Sequence, residues 1–328
     1  MGRAGPHPRL TPGAVRHDAP VTSDLPPSLQ DLAARFGHLL TPPAREVGLD
    51  AARARFAELL ALGTAGAPDV ATEELALGGG LTALCQRPTA PGGATVVFCH
   101  GGGWTVGTAG EYAGLTARLA QALDAVVVSV EFRRAPEHPF PAAVEDAVAG
   151  VRWALAHAAE LGGDPDRVVV AGDSGGGNLA AVACQQLRDA GGPQPAAQLL
   201  LYPSVAAGVD WPSVAAHGTS PFLSLADMGF YTRGYVPRGT PLTDPRISPL
   251  EGGLAGLPPA LVVTAELDAL RDSGGAYAAG LADAGVPVAR LDLAGVPHGF
   301  AHLVALDAGC ADALEQVSTA ARRLPPLR

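Results

Sequence analysis

The chain contains no lysine: all 22 of its basic residues are arginine. Asparagine and isoleucine occur once each, at Asn178 and Ile247. An inventory this skewed points to GC-rich coding, so arginine content is not read as phosphate recognition. Positive charge is also in deficit, and the formal net charge is −10. An acidic chain repels polyanions, which excludes a nucleic-acid binder and gives no help at anionic membrane surfaces. Cysteines are few and scattered, at Cys85, Cys99, Cys184 and Cys310. They form no CxxC pair and no Cys/His cluster with zinc spacing, so no metal centre is expected. Cys99 falls in an apolar strand and Cys184 in a helix, so both read as packed free thiols in a reducing cytoplasm. No apolar run approaches the length of a membrane span, so no stable membrane insertion is expected. The Pro/Gly/Arg-rich N-terminus lacks the apolar stretch of a signal peptide, which also points to the cytoplasm.

What is present is a globular composition, 48% hydrophobic and 16% charged over 328 residues. That length allows one large α/β domain with an embellishment. Residues 1–27 are rich in Pro, Gly and His and are expected to be disordered. Leu29–Phe36 and Ala51–Leu62 have apolar residues at three- and four-residue steps and are predicted helices. From about residue 70, predicted strands alternate with predicted helices. The strands are Thr82–Arg87, Ala94–Cys99, Ala125–Glu131, Arg167–Ala171, Gln198–Tyr202, Ala260–Thr264 and Val288–Leu293. The helices are Tyr112–Leu123, Ala142–Leu161, Gly177–Ala190, Ser273–Ala284 and Ala308–Arg323. Such alternation predicts a mostly parallel central sheet with helices on both faces.

Three loops carry chemistry. Residues 168–178 read as a buried strand running through Gly-Asp-Ser174-Gly into a helix. This strand–turn–helix context is that of the nucleophile elbow, which lifts one serine hydroxyl out of the sheet edge. Upstream, the apolar strand ending at Cys99 opens into His100 and three glycines, whose unshielded N–H groups can face an oxygen that becomes negative. In α/β-hydrolases such a loop works with the N–H of the residue after the nucleophile, here Gly175. Downstream, Asp268 follows a strand, and His298 follows another within Val-Pro-His-Gly. The order Ser174, Asp268, His298 is that of the α/β-hydrolases. A neutral serine needs a base, which assigns His298, and the base needs an orienting acid, which assigns Asp268. The rivals are His302 for the base, and Glu266 and Asp272 for the acid. Glu266 reads as the end of the strand, and Asp272 as the cap of the helix starting near Ser273. His100 reads as shaping its turn. Asn178, in the first turn after the serine, reads as tying the elbow to neighbouring backbone.

The interval between the strands at 198–202 and 260–264 is too long for a simple connection. Its Ser224–Tyr235 stretch is a predicted short helix bearing Met228, Phe230, Tyr231 and Tyr235. That stripe can pack against the body, or form the apolar underside of a cap that excludes water. Trp104, Phe222 and Tyr231 are the candidate pocket residues.

The loop at His100–Gly103, Gly172–Gly176, Asp268–Asp272 and His298–Phe300 together resemble the hormone-sensitive-lipase-like branch of the α/β-hydrolases, the bacterial family IV esterases. Residues 131–141, including Arg-Ala-Pro-Glu-His, resemble a further segment of that family. The resemblance covers about residues 70–322. It implies an α/β-hydrolase fold and carboxylic-ester hydrolysis, with oxyanion donors at Gly102, Gly103 and Gly175. It implies a small helical cap made of N-terminal helices in 28–66 and an insertion at about 204–245, on a catalytic domain spanning 67–328. No cofactor or metal is implied. The partner is a small-molecule ester, and a homodimer is compatible with the family. Gly175 stands where the family often has alanine, Ala269 where proline is usual and Arg134 where leucine is usual. An amidase, a lactonase or a natural-product tailoring enzyme could use the same site, and a non-catalytic binding protein could share the fold.

Overall fold

A computed structural model describes residues 22–328. Most of the N-terminal segment expected to be disordered, residues 1–21, lies outside the described residues. The order of the chain is α1 (Pro27–Leu40), α2 (Ala44–Val47), α3 (Leu49–Gly63), β1 (Ala71–Gly78), β2 (Leu81–Arg87), β3 (Ala94–Cys99), α4 (Ala113–Leu123), β4 (Ala125–Glu131) and α5 (Ala142–His157). It continues with β5 (Val168–Asp173), α6 (Ser174–Asp189), β6 (Ala197–Leu201), α7 (Pro212–His217), α8 (Leu225–Tyr235), β7 (Ala260–Leu267), α9 (Arg271–Asp283), β8 (Val288–Pro297) and α10 (Ala308–Ala321).

The strands form one eight-stranded sheet in the order β1-β2-β4-β3-β5-β6-β7-β8. β1 and β2 pair antiparallel, as do β2 and β4, and every pair from β4 to β8 is parallel. The central strands are near-continuous Val/Ala/Leu runs because both of their faces are covered. Strand periodicity then divides neighbouring residues between two cores. Val169, Leu199 and Val263 face a cluster with Leu29, Leu60, Leu119 and Val317. Val170, Leu200 and Val262 face the opposite cluster with Val151, Leu179, Leu187 and Leu281. All four cysteines are free and buried, and burial pushes the Cys85 thiol up to about 11 and the Cys99 thiol up to about 12.

Differences from the sequence reading lie at edges and ends. β1 was not predicted: its residues 71–74 are exposed and it carries only Leu75 and Leu77 as large apolar residues. It is held as an edge by its register with β2, from Ala71 opposite Arg87 to Gly78 opposite Leu81. α5 stops at His157 rather than Leu161. α6 starts at Ser174 itself rather than Gly177. The short helices α2 and α7 were also missed, being too short to show a period. No helix among the described residues is long and apolar enough to cross a membrane.

The parallel arrangement brings the carboxyl ends of β3, β5, β7 and β8 to one edge of the sheet, where open α/β sheets bind ligands. The N-terminal helices meet the rest of the molecule near this edge. Leu29 and Leu60 enter the first core, and the Ala44 N–H donates to Asp227 Oδ1 of α8 at 2.7 Å. Arg53 of α3 donates from Nε to Thr105 O at 2.9 Å and makes two bonds to the Glu137 carboxylate, at 2.7 and 2.8 Å.

Candidate active site

β5 passes into α6 with no intervening residue, and Ser174 is the pivot at φ +52. A non-glycine residue in the left-handed region is strained, and is held there only by its surroundings. Packing at the pivot permits little else. A Cβ at Gly176 would overlap the Cys99 carbonyl oxygen of the neighbouring strand. Asn178 ties the turn down as expected, donating from Nδ2 to Ser204 O at 2.7 Å and to Ile247 O at 2.8 Å. Ser204 N–H in turn donates to Ser174 O at 3.1 Å.

Asp268 follows β7 and is 1% exposed. Its Oδ1 accepts the Leu270 N–H at 2.8 Å, and its Oδ2 lies 2.8 Å from His298 Nδ1. His298 Nε2 lies 2.9 Å from Ser174 Oγ. With the Nδ1 proton donated to the carboxylate, the Nε2 lone pair faces the serine hydroxyl. The Tyr202 ring packs against this imidazole in a T-shaped arrangement, with centroids 4.9 Å apart. The structure therefore brings Ser174, His298 and Asp268 into one hydrogen-bonded chain.

The rival residues go elsewhere. Glu266 Oε2 accepts the Gly295 N–H at 2.7 Å, joining β7 to β8. Asp272 does not cap α9, because the helix already begins at Arg271 and Asp272 lies inside its first turn. Its Oδ2 reaches across to the Ser213 N–H of α7 at 2.8 Å. His302 turns away from Ser174, its Nε2 lying 3.1 Å from Asp173 Oδ2.

The glycine loop lies against the elbow. Gly102 and Gly103 have φ of +88 and +55, and neither amide donates a backbone hydrogen bond within the described residues. A Cβ at Gly175 would sit 3.3 Å from Gly103 N and Cα, so loop and first helical turn are in van der Waals contact. Gly175 has no upstream helical carbonyl to bond, as at every helix start. The arrangement can present several N–H groups beside Ser174 Oγ. His100 stacks on Phe132 at 4.2 Å with Nδ1 2.9 Å from Gly101 O. Burial lowers its pKa to about 4, so it is a neutral part of the turn.

A cavity of about 1220 Å³ opens onto Ser174 and His298. Trp104, Phe222 and Tyr231 all line it, as do Leu39, Leu40 and Phe56 from the N-terminal helices. Trp104 stacks on Tyr235 with centroids 4.4 Å apart. The resemblance assigned the N-terminal helices to a cap, but the lining residues Leu39, Leu40 and Phe56 were not found in the sequence, since an apolar helix face reads the same whether it meets a core or a cavity. The Asp173–His302 pair was missed as well. Its sequence signal was only a carboxylate beside the serine and a second histidine four residues after the first.

Comparison with known proteins agrees with this architecture. Residues 96–302 match the family model described as alpha/beta hydrolase fold. Carboxylesterase NlhH of Mycobacterium tuberculosis is 37% identical over 315 residues, covering 93% of this chain and 92% of that protein. Carboxylic ester hydrolase LipN of the same organism is 42% identical over 253 residues, covering 74% of this chain and 67% of that one. A hyperthermophilic esterase from Pyrobaculum calidifontis superposes with a TM-score of 0.85 at 35% identity, covering 92% of this chain and 99% of the other. With its sheet order, its strand-to-helix serine and these relatives taken together, the chain belongs to the α/β-hydrolase family, in the hormone-sensitive-lipase-like branch of esterases.

Proposed function

We propose that this carboxylic-ester hydrolase cleaves small to medium acyl esters through a covalent acyl-enzyme on Ser174. The observation that carries the reading is the unbroken chain Ser174 Oγ to His298 Nε2 and His298 Nδ1 to Asp268 Oδ2, at 2.9 and 2.8 Å. In the first half-reaction His298 Nε2 takes the hydroxyl proton as Oγ attacks the ester carbonyl. The imidazolium then returns that proton to the departing alcohol as the C–O bond breaks. In the second half, His298 takes a proton from water, the hydroxide attacks the acyl carbon, and Ser174 Oγ leaves reprotonated with release of the acid. Asp268 fixes the imidazole tautomer and stabilises the imidazolium. The N–H groups of Gly102, Gly103 and Gly175 receive the developing oxyanion, where a single donor is worth ~10²–10³ in rate. No metal or organic cofactor enters the steps.

α1 to α3 and the 204–245 insertion act as the cap in this reading. The lining by Leu39, Leu40, Phe56 and Phe222 supports an apolar site for the acyl or alcohol chain. Trp104 and Tyr231 border it beside the reacting atoms. A fluorophosphonate tests the nucleophile. Intact-mass analysis should show one covalent adduct, mapped to Ser174 and absent from Ser174→Ala. An adduct elsewhere, or equal labelling of both proteins, overturns the assignment.

A further inference from the structure

Asp173 occupies the N-cap position of α6, where an aspartate ordinarily accepts a hydrogen bond from the second or third helical N–H. Here it makes no capping bond. Its carboxylate, 2% exposed, turns the other way. Oδ1 accepts the Gly101 N–H at 2.7 Å, and Oδ2 meets His302 Nε2 at 3.1 Å. The second N–H of α6 is that of Gly175, one of the donors assigned to the oxyanion. A side-chain cap would engage the amides of this first turn and compete with the substrate oxygen.

The partner is equally constrained. His302 is 7% exposed, and its ring meets Tyr112 edge-on at 4.7 Å and Phe56 at 6.3 Å. Its position is fixed by a short helical turn starting at Phe300, directly after the segment carrying His298. The imidazole faces the carboxylate with Nε2, while Nδ1 of the other histidine faces Asp268. Two carboxylate–imidazole pairs thus stand side by side, and only one includes the serine.

We propose that Asp173 and His302 are positioning residues for the oxyanion site: His302 holds the Asp173 carboxylate off the α6 N-terminus, and Asp173 anchors the glycine loop through Gly101. The inference rests on the reading of Ser174 and Gly175 given above. One carboxylate thereby joins the elbow, the glycine loop and the segment after His298. A buried carboxylate requires such partners, because an uncompensated charge there is costly. Both residues border the cavity, but their polar atoms bond Gly101 and each other rather than Ser174 Oγ or His298, so the effect should appear in transition-state stabilisation more than in substrate binding.

The test compares His302→Phe, His302→Gln and Asp173→Asn with the wild type on 4-nitrophenyl butyrate and on an alkyl trifluoromethyl ketone, whose adduct with serine carries an oxyanion. The Phe variant keeps an aromatic ring and removes the donor. Its kcat should fall by about 10- to 100-fold, within the range for an impaired oxyanion donor. KM should stay within about twofold, and affinity for the ketone should fall by the same factor as kcat. The Gln variant restores an N–H donor and should recover most of the loss. Asp173→Asn should show the same kcat-specific split, so a misfolded Phe variant still leaves a decisive comparison. Unchanged kcat in folded variants, or losses in KM alone, overturn the proposal. If wild type turns over the ester and Ser174→Ala does not, the nucleophile assignment stands whatever the His302 series shows.

Discussion

Ser174 holds a backbone conformation, φ +52, that costs of order 1–3 kcal/mol and persists only because its neighbours over-determine it. The same holds for the loop opposite. Gly103 has φ +55, and a Cβ there would lie 2.5 Å from Tyr231 Cγ. Gly103→Ala therefore combines backbone strain with a collision that either Tyr231 or the loop must relieve. In the proposed mechanism, movement of the loop takes the amide away from the oxyanion, and a kcat loss of about 10²-fold is expected. Steady-state kinetics beside a melting curve checks this: a large kcat loss with a well-folded protein fits, whereas wild-type kcat would mean that the Gly103 amide is not used. At this scale local context marked the three residues that the structure brings within hydrogen-bond distance. Ser174 and Asp268 follow apolar strands, His298 follows a strand within Val-Pro-His-Gly, and their order along the chain is distinctive. The Asp173–His302 bond escaped because it joins residues 129 apart, and nothing local marks which carboxylate a buried imidazole will meet. Asp272 was misassigned for a related reason, since its partner Ser213 is 59 residues away.

Among elements, the attachment of α3 has the clearest consequence. Arg53 reaches Thr105 O and Ala135 O while gripping both oxygens of Glu137. It thus joins the N-terminal helices to the loop that follows Gly103. Arg53→Ala should speed proteolytic cleavage within residues 41–66 and reduce esterase activity, while leaving the parallel sheet intact by circular dichroism. Cleavage at the wild-type rate would show that apolar packing alone holds α3. The pair also carries a pH signature. The hydrogen bonds from Arg53 hold the Glu137 pKa down at about 2, below its ordinary 4.5. A lowered carboxylate pKa means its contribution is present above pH 4.5 and is lost as pH falls from there towards 2. The effect is small because the Glu137 side chain is half exposed. Acid-accelerated cleavage in the wild type should therefore be muted in Arg53→Ala. The central strands were legible because residues buried on both faces leave continuous apolar runs, as in β3 and β5. β1 was not, because an exposed edge strand is specified by its partner's register rather than by its own pattern.

Over the whole molecule, the parallel sheet gathers the carboxyl ends of its strands at one edge, and residues of α1, α3 and α8 line the cavity above it. The cavity of about 1220 Å³ draws its walls from the N-terminal helices, from the loops that follow the central strands and from the segment between β6 and β7. Fold class followed from strand–helix alternation, but the shape of the cavity did not, since it depends on how distant helices meet. Its apolar lining predicts tolerance of acyl chains longer than acetyl. The central claim is that Ser174 hydrolyses esters inside this cavity. It is tested most directly by the turnover of 4-nitrophenyl esters of increasing acyl length, by wild type and by Ser174→Ala. Wild type should cleave the series with an optimum beyond acetyl, and Ser174→Ala should lose nearly all activity at every length. Comparable turnover by Ser174→Ala, or no turnover by wild type at any length, would contradict the claim.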